Sequence, residues 1–163
     1  MKKTTILWAF YCCISHASFS QNLKYITEVE GLKKSASPFS FAVWAGDFCY
    51  LAGQLGTDPQ TEKLPEDFKA ESGQVMKNLQ TVLESQGLDF KDVLKTTVYL
   101  TDVKDFATMN EVYRTYFPEG NFPARETVQV AGLVRSARIE ISMIAYKKQG
   151  NIVKKRKKSI KKI

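Results

Sequence analysis

The sequence predicts an α+β domain in which two helices cover one face of a mixed β-sheet. Three observations predict it: two stretches have apolar residues at helical spacing, strand-like runs lie before, between and after them, and the last run alternates apolar and polar positions. A length of 163 residues suits one domain. The composition, 44% hydrophobic and 25% charged, is that of a globular protein.

The first half is predicted as a hairpin, a loop and a helix. Residues 41–46 and 48–52 are short apolar runs with a Gly-Asp turn signal between them, which predicts two strands. Residues 53–59 are rich in turn residues and are predicted as a loop. The helix that follows has Pro65 in its first turn and Gly87 as its stop. We expect it to bury an apolar stripe and to keep four charged side chains largely in water: Lys69, Glu71, Lys77 and Glu84.

The second half is predicted as strand, helix, strand, strand. Residues 93–100 are rich in β-branched side chains, residues 106–116 have helical periodicity, and residues 125–130 and 138–146 are strand-like. The predicted order is therefore β-β-α-β-α-β-β. No internal repeat and no second domain are indicated.

The alternation in the last strand predicts which of its faces the helices cover. One side carries four apolar residues that we expect to meet the helices: Ile139, Ile141, Met143 and Ala145. Glu140, Ser142 and Ile144 point the other way, to a face with no helix left to cover it. Because that face still carries apolar residues, we expect the protein to form an oligomer.

The formal net charge of +7 arises in the C-terminal segment. Residues 147–163 contain nine basic side chains and no acidic one, whereas residues 21–146 contain 13 basic and 17 acidic ones. A block of like charges is typical of a solvated, disordered tail. Contact with RNA or an anionic membrane surface is the alternative, although no aromatic residue is interleaved to stack on bases.

Residues 1–20 have the pattern of a secretory signal peptide. Two lysines precede an uncharged, mostly apolar run over residues 4–14, and Ser18-Phe19-Ser20 offers small residues at a cleavage site. The predicted mature chain is a domain over residues 21–146 with the basic tail, without a transmembrane segment, exported to the periplasm or secreted. If the segment is instead retained, the expected location is the cytoplasm.

Loss of this segment would limit the chemistry available to the protein. His16 is the sole histidine of the sequence, so a processed chain has no His-based zinc site, Ser-His-Asp triad or Cys-His dyad. It would also keep only Cys49, which cannot pair internally. We expect no metal and no cofactor.

Two charged residues on predicted strands are candidates for chemistry. Arg125 follows a proline turn at the start of a strand, where its planar guanidinium suits a carboxylate, although a surface salt bridge is the alternative. Glu140 lies between two isoleucines, where a carboxyl group needs a partner or a shifted pKa. It is either exposed or paired with Arg125 or Arg138, or it is a general acid/base with a raised pKa.

The motifs of this chain resemble those of the RidA family from about Pro38 to Tyr146. The matching stretches occur in the family's order and include Gly53-Gln54, residues 95–100, residues 105–110, residues 122–125 and residues 139–141. The resemblance implies a chorismate-mutase-like α+β fold and a homotrimer with clefts between subunits. It also implies cofactor-free hydrolysis of enamines and imines, such as 2-aminoacrylate, 2-iminopropanoate and 2-iminobutanoate, to 2-keto acids and ammonia.

The resemblance also implies roles for individual residues. Arg125 matches the arginine that binds the substrate carboxylate, and Glu140 the glutamate that assists attack of water on the imine carbon. Asn110 matches a cleft asparagine, and Gly53 a glycine whose backbone lies against the ligand. Arginine would supply orientation and glutamate proton transfer, which is what an already electrophilic imine requires.

Three positions of the implied substrate site depart from deaminating members of the family. Phe39 replaces a tyrosine, Ala52 a serine and Thr127 a cysteine. Two alternatives to the deaminase follow, in this order. The hydroxyl groups lost at Phe39 and Ala52 would fit a carboxylate-binding trimer without catalysis, and the basic tail alone would fit an RNA-acting protein. A cleft reshaped for a larger or more apolar substrate would also fit these departures.

Overall fold

The computed structural model describes residues 23–33 and 38–148. The predicted signal peptide and all but the first two residues of the predicted tail lie outside this part of the chain, so both stay predictions. Among the described residues, none of the helices combines the length and apolar character needed to cross a membrane.

The predicted mixed sheet is confirmed, with two helices packed on it. Its six strands are β1 (Leu23–Ile26), β2 (Ala42–Ala45), β3 (Phe48–Leu55), β4 (Val93–Leu100), β5 (Ala124–Gln129) and β6 (Ile139–Tyr146). The helices are α1 (Phe68–Ser85) and α2 (Phe106–Arg114). The strands lie in the order β1-β2-β3-β6-β4-β5, and only the β4–β5 pair is parallel among them.

Several features differ from the prediction. Pro65, predicted in the first turn of α1, precedes the Asp67 N-cap and lies outside the helix. β1 was not predicted, because its four residues alternate too briefly to stand out, yet it pairs along its whole length with β2. Residues 53–55, predicted as loop, continue β3 after a bulge between Leu51 and Gln54. A bulge adds one residue to a strand and changes where the neighbouring side chains point, so turn-like residues fit within it.

Local signals explain why α1 begins and ends where it does. The Asp67 carboxylate accepts a hydrogen bond from the Ala70 amide at 2.8 Å and caps the first turn. At the other end Gly87 has a φ of 67°, and the Leu88 amide donates to the Leu83 carbonyl at 2.9 Å. This left-handed glycine cap confirms Gly87 as the predicted stop.

The core lies between the helices and one face of the sheet. The four alternating apolar residues of β6 are at most 2% exposed and face this layer, as predicted. One prediction for α1 is wrong: Glu71 is not in water but 1% exposed. Its carboxylate accepts hydrogen bonds from the Arg138 amide at 2.8 Å and the Arg138 Nε at 2.7 Å, which explains how the charge is tolerated.

The opposite face of the sheet has no helix over it within the described residues. Six large apolar or aromatic side chains on it are 39–59% exposed: Leu23, Tyr25, Phe48, Tyr50, Val128 and Tyr146. We call these six residues the open face. It is the surface from which the sequence predicted oligomerisation.

Candidate active site

Arg125 lies on the helix-covered side of β5 and is held there by aromatic rings. Its register partner Thr96 is fully buried, and the guanidinium carbon is 4.7 Å from the centre of the Tyr113 ring and 5.7 Å from that of Phe106. The Tyr113 hydroxyl is itself hydrogen-bonded to Thr96 at 2.8 Å. One guanidinium nitrogen, Nη1, donates to the Met109 sulfur at 3.9 Å, a weak acceptor. Stacking fixes the plane of the guanidinium and leaves its other N–H groups to donate to a ligand.

The guanidinium of Arg125 opens into a cavity of about 310 Å³. The lining residues are Asn110, Tyr113, Arg114, Phe122, Pro123 and Arg125. We call this space the arginine cavity. It brings Asn110 and Arg125 together, and no carboxylate among the described residues forms an ion pair with Arg125. A planar cation without an anion is suited to bind one from solution.

Glu140 lies on the other side of the sheet, directly against Gly53. A Cβ atom placed on Gly53 would be 1.9 Å from Glu140 Oε1, so a side chain there would displace the carboxyl group. The bulge in β3 puts this glycine opposite the carboxyl group. Burial raises the pKa of Glu140 above its ordinary value of 4.5.

The predicted ion-pair partners of Glu140 are engaged elsewhere or lie out of reach. Arg138 is committed to Glu71 and to the carbonyl groups of Pro65 and Glu66, at 3.1 and 2.9 Å. Arg125 points to the opposite face of the sheet. Within the described part of the chain, Glu140 has no ion pair. It is therefore a partly buried carboxyl group whose proton is held more tightly than usual.

A second cavity, of about 550 Å³, lies in front of Glu140 and Gly53, and we call it the glutamate cavity. Phe39 forms part of its wall, 45% exposed and edge-on to Phe41 at 5.6 Å between ring centres. Charged residues of both signs also line it: Lys33, Asp58, Glu62, Arg135 and Glu140.

The remaining candidate residues lie beside the cavities. Ala52 adjoins Gly53 in the bulge, and its amide donates to the Phe41 carbonyl at 3.0 Å. Thr127 is two residues after Arg125 on the same side of β5, with a buried hydroxyl that has no hydrogen-bond partner among the described residues. Neither residue lines the arginine cavity or the glutamate cavity.

The structure thus divides the candidate residues into two groups. Arg125 and Asn110 line one cavity, whereas Glu140, Gly53 and Phe39 line the other. The side chains of Arg125 and Glu140 point to opposite faces of one sheet. Within a single chain, the proposed cation and the proposed acid/base do not face a common space.

Among the residues that sequence reasoning missed at these cavities are two arginines. Arg114 lines the arginine cavity, and its position four residues after Asn110 on a helix was a usable signal. Arg135 lines the glutamate cavity with a left-handed φ of 60°. No local pattern marks a non-glycine residue for that conformation.

The strand order, the two covering helices and the cavities at the sheet define a chorismate-mutase-like α+β protein. The model of the family described as endoribonuclease L-PSP matches residues 31–147. The chain belongs to this family, which is also called the RidA family.

Individual relatives agree with this assignment. The chain is 44% identical to a RutC family protein of Pyrococcus horikoshii over 77% of this chain and 99% of the relative. It is 46% identical to the 2-iminobutanoate/2-iminopropanoate deaminase of Mus musculus over 72% and 85% of the two chains. Among solved structures it is similar to RidA from an Antarctic Psychrobacter, with a TM-score of 0.72 and 39% identity over 76% of this chain and all of that one. It is also similar to the structure of Escherichia coli TdcF with bound serine, with a TM-score of 0.71 and 34% identity over 76% of this chain and 99% of that one.

Proposed function

We propose that the protein hydrolyses 2-imino acids of the 2-iminopropanoate and 2-iminobutanoate type, and their enamine tautomers, to 2-keto acids and ammonia. The observation that carries the proposal is a guanidinium and a partly buried carboxyl group without ion-pair partners among the described residues, each lining a cavity. The choice of substrate class is supported by the name of the mouse relative, a 2-iminobutanoate/2-iminopropanoate deaminase.

The proposed site lies between two copies of the chain. Because Arg125 and Glu140 point to opposite faces of the sheet, one copy would supply the arginine and a neighbour the glutamate. The open face offers an apolar surface for such a contact. We propose a homotrimer, the assembly that the family resemblance implies, in which each subunit boundary carries one site.

The chemistry needs orientation of the imine and proton transfer at its carbon and nitrogen. Arg125 and Asn110 would hold the C1 carboxylate and so fix the imine carbon relative to Glu140. With the nitrogen protonated as an iminium ion, the Glu140 carboxylate would take a proton from water as the water oxygen adds to C2 and the C=N π electrons move to nitrogen, giving a carbinolamine. Glu140 would pass that proton to the nitrogen and then take the proton of the C2 hydroxyl group as the C=O bond forms and the C–N bond breaks. The ammonia that leaves would take up this last proton. A raised pKa suits a group that both accepts and donates protons near neutral pH.

Phe39 and Ala52 favour a second candidate, a carboxylate-binding trimer without catalysis. The Phe39 ring forms a wall of the glutamate cavity and has no hydroxyl group to offer a ligand. An RNA-acting role would rest on the basic tail, most of which lies outside the described residues. Binding without turnover in the assay below would select the second candidate.

The direct test generates 2-iminopropanoate from alanine with an amino-acid oxidase and follows formation of pyruvate. We expect the protein to accelerate its release. Arg125→Ala and Glu140→Gln should each abolish most of that acceleration, whereas Glu111→Gln, an exposed carboxylate on α2, should not. No acceleration by the parent protein, or full activity of Arg125→Ala, would overturn the proposal.

Mixing the two inactive variants tests where the site lies. In a trimer with sites between chains, an Arg125→Ala chain still supplies Glu140, and a Glu140→Gln chain still supplies Arg125. After the two are unfolded and refolded together in equal amounts, about one site in four should be intact and activity should return to that level. A mixture as inactive as its components would show that both residues must come from one chain.

We also propose export, with cleavage after Ser20. The support is the order of charged, apolar and small residues in the first 20 positions. Mass spectrometry of the N-terminus of protein from a defined cell fraction tests it. A mature chain beginning at Gln21 is expected, and an intact residue 1 in the cytoplasm would contradict it.

A further inference from the structure

The arginine cavity contains a second guanidinium that the proposed reaction does not use. Arg114 and Asn110 lie four residues apart on α2, so they share one helix face, and both line the cavity with Arg125. The lining includes no carboxylate. Among the described residues no acidic side chain forms an ion pair with Arg114 or Arg125.

A ligand with one carboxylate leaves this charge unbalanced. A single carboxylate carries one negative charge, which balances one guanidinium in a bidentate pair and leaves the second cation without a counter-charge. The glutamate cavity is different, because its lining mixes two basic and three acidic side chains. The excess of positive charge is therefore a property of the arginine cavity and not of the whole surface around the site.

We propose that the preferred substrates are 2-imino acids with a second carboxylate at the end of the side chain, the imines of acidic amino acids. This inference rests on the proposed function and names its substrate class. Arg125 would hold the C1 carboxylate beside the reacting carbon, and Arg114, one helical turn beyond Asn110, would hold the distal carboxylate. A volume of about 310 Å³ is enough for a four- or five-carbon dicarboxylate.

A structural role for Arg114 makes a different prediction. A cation in the last turn of a helix stabilises the helix by interacting with its terminal carbonyl groups. That role would alter stability and leave ligand selectivity unchanged. The experiment therefore compares two ligands on the same protein.

The experiment is calorimetric titration of the full-length protein with 2-oxoglutarate and with 2-oxopentanoate, two five-carbon keto acids that differ in the distal carboxylate. We expect 2-oxoglutarate to bind the parent about tenfold more tightly, the effect of one charge-assisted contact. Arg114→Gln should remove most of this preference, and Arg114→Lys should retain part of it. Lys77→Gln, an exposed cation on α1, is the control and should retain it fully.

Equal affinity of the parent for both ligands, or a preference that survives Arg114→Gln, would overturn the inference. So would a lower thermal midpoint of Arg114→Gln with unchanged selectivity. Binding and turnover separate the two proposals. Arg114-dependent binding of 2-oxoglutarate without any turnover would overturn the hydrolysis and leave the ligand class. Turnover of 2-iminopropanoate without a preference for dicarboxylates would overturn the ligand class and leave the hydrolysis.

Discussion

At the scale of single residues, Glu140 couples stability to pH. Burial raises its pKa, so the folded protein binds this proton more tightly than the unfolded chain does. The free energy of unfolding must then fall as the pH rises from the ordinary value of 4.5 toward the raised one. At a pH above both the unfolded-state and the folded-state pKa, the buried charge lowers the free energy of unfolding by its full amount.

The first prediction follows for Glu140→Gln. At about pH 4, where the carboxyl group is mostly protonated in both states, the variant and the parent should have similar stability. At pH 7 the variant should be the more stable protein, because the amide carries no charge to bury. Urea denaturation at the two pH values and one fixed protein concentration measures this difference. The prediction would be contradicted if the stability of the variant minus that of the parent were smaller at pH 7 than at pH 4.

The second prediction concerns Gly53. In Gly53→Ala the new methyl group would overlap Glu140 Oε1, so the carboxyl group must move and hydrolysis of 2-iminopropanoate should fall at least about tenfold. Gly73→Ala is the matched control, because Gly73 lies in α1 and a Cβ added there would have no atom within 4 Å. The control should keep full activity and gain about 0.5–1 kcal/mol of stability. Equal activity of Gly53→Ala and the parent would contradict the role of this glycine.

Sequence alone singled out candidate residues for the proposed site but not their arrangement. Arg125 stood out because it follows a proline turn at the start of a strand, and Glu140 because a carboxyl group between two isoleucines needs an explanation. That they face opposite sides depends on how the strands pair across the sheet, which local patterns do not encode. Glu71 was misplaced for a similar reason, since its partner Arg138 lies 67 residues away in sequence.

At the scale of elements, Glu71 and Arg138 join the start of α1 to the start of β6. The carboxylate is 1% exposed, and the Arg138 side chain is 35% exposed. Gly56 packs against this pair so closely that a Cβ there would lie 2.5 Å from Glu71 Cγ. The contact anchors the strand that carries Glu140 and therefore supports the site from a distance.

The third prediction is that Arg138→Ala destabilises the fold strongly. Removal of the guanidinium leaves a buried carboxylate without its charged partner, which should cost about 2–4 kcal/mol. Lys69→Ala removes an exposed ion pair with Glu111 and should cost less than about 0.5 kcal/mol. Chemical denaturation measures the free energy of unfolding of both variants. Similar small losses of stability in the two would contradict a stabilising role for the Glu71–Arg138 pair.

The elements themselves were largely predictable, and the exceptions have physical causes. Both helices follow from periodicity, because each has one buried face and enough length to display it. Strand β4 follows from its β-branched residues. β1 has four residues with three of them exposed, so its pattern is too short to detect. The end of β3 contains Gly53 and was predicted as loop because a bulge uses the residues that turns use.

At the scale of the molecule, the open face decides whether the proposed site exists. The fourth prediction is that Tyr50→Glu, a charge in the middle of this face, yields a monomer that folds but has no deaminase activity. Val103→Glu, at a position 58% exposed outside the sheet, should leave assembly and activity unchanged. Sedimentation velocity and the keto-acid assay measure both. An active Tyr50→Glu monomer would contradict the shared site.

The opposed directions of Arg125 and Glu140 also imply that activity per chain depends on protein concentration. If neither copy holds a whole site, activity per chain is set by association, and progressive dilution below the dissociation constant should extinguish it without unfolding any chain. In a compartment where the protein is scarce, turnover would then rise more steeply than its concentration.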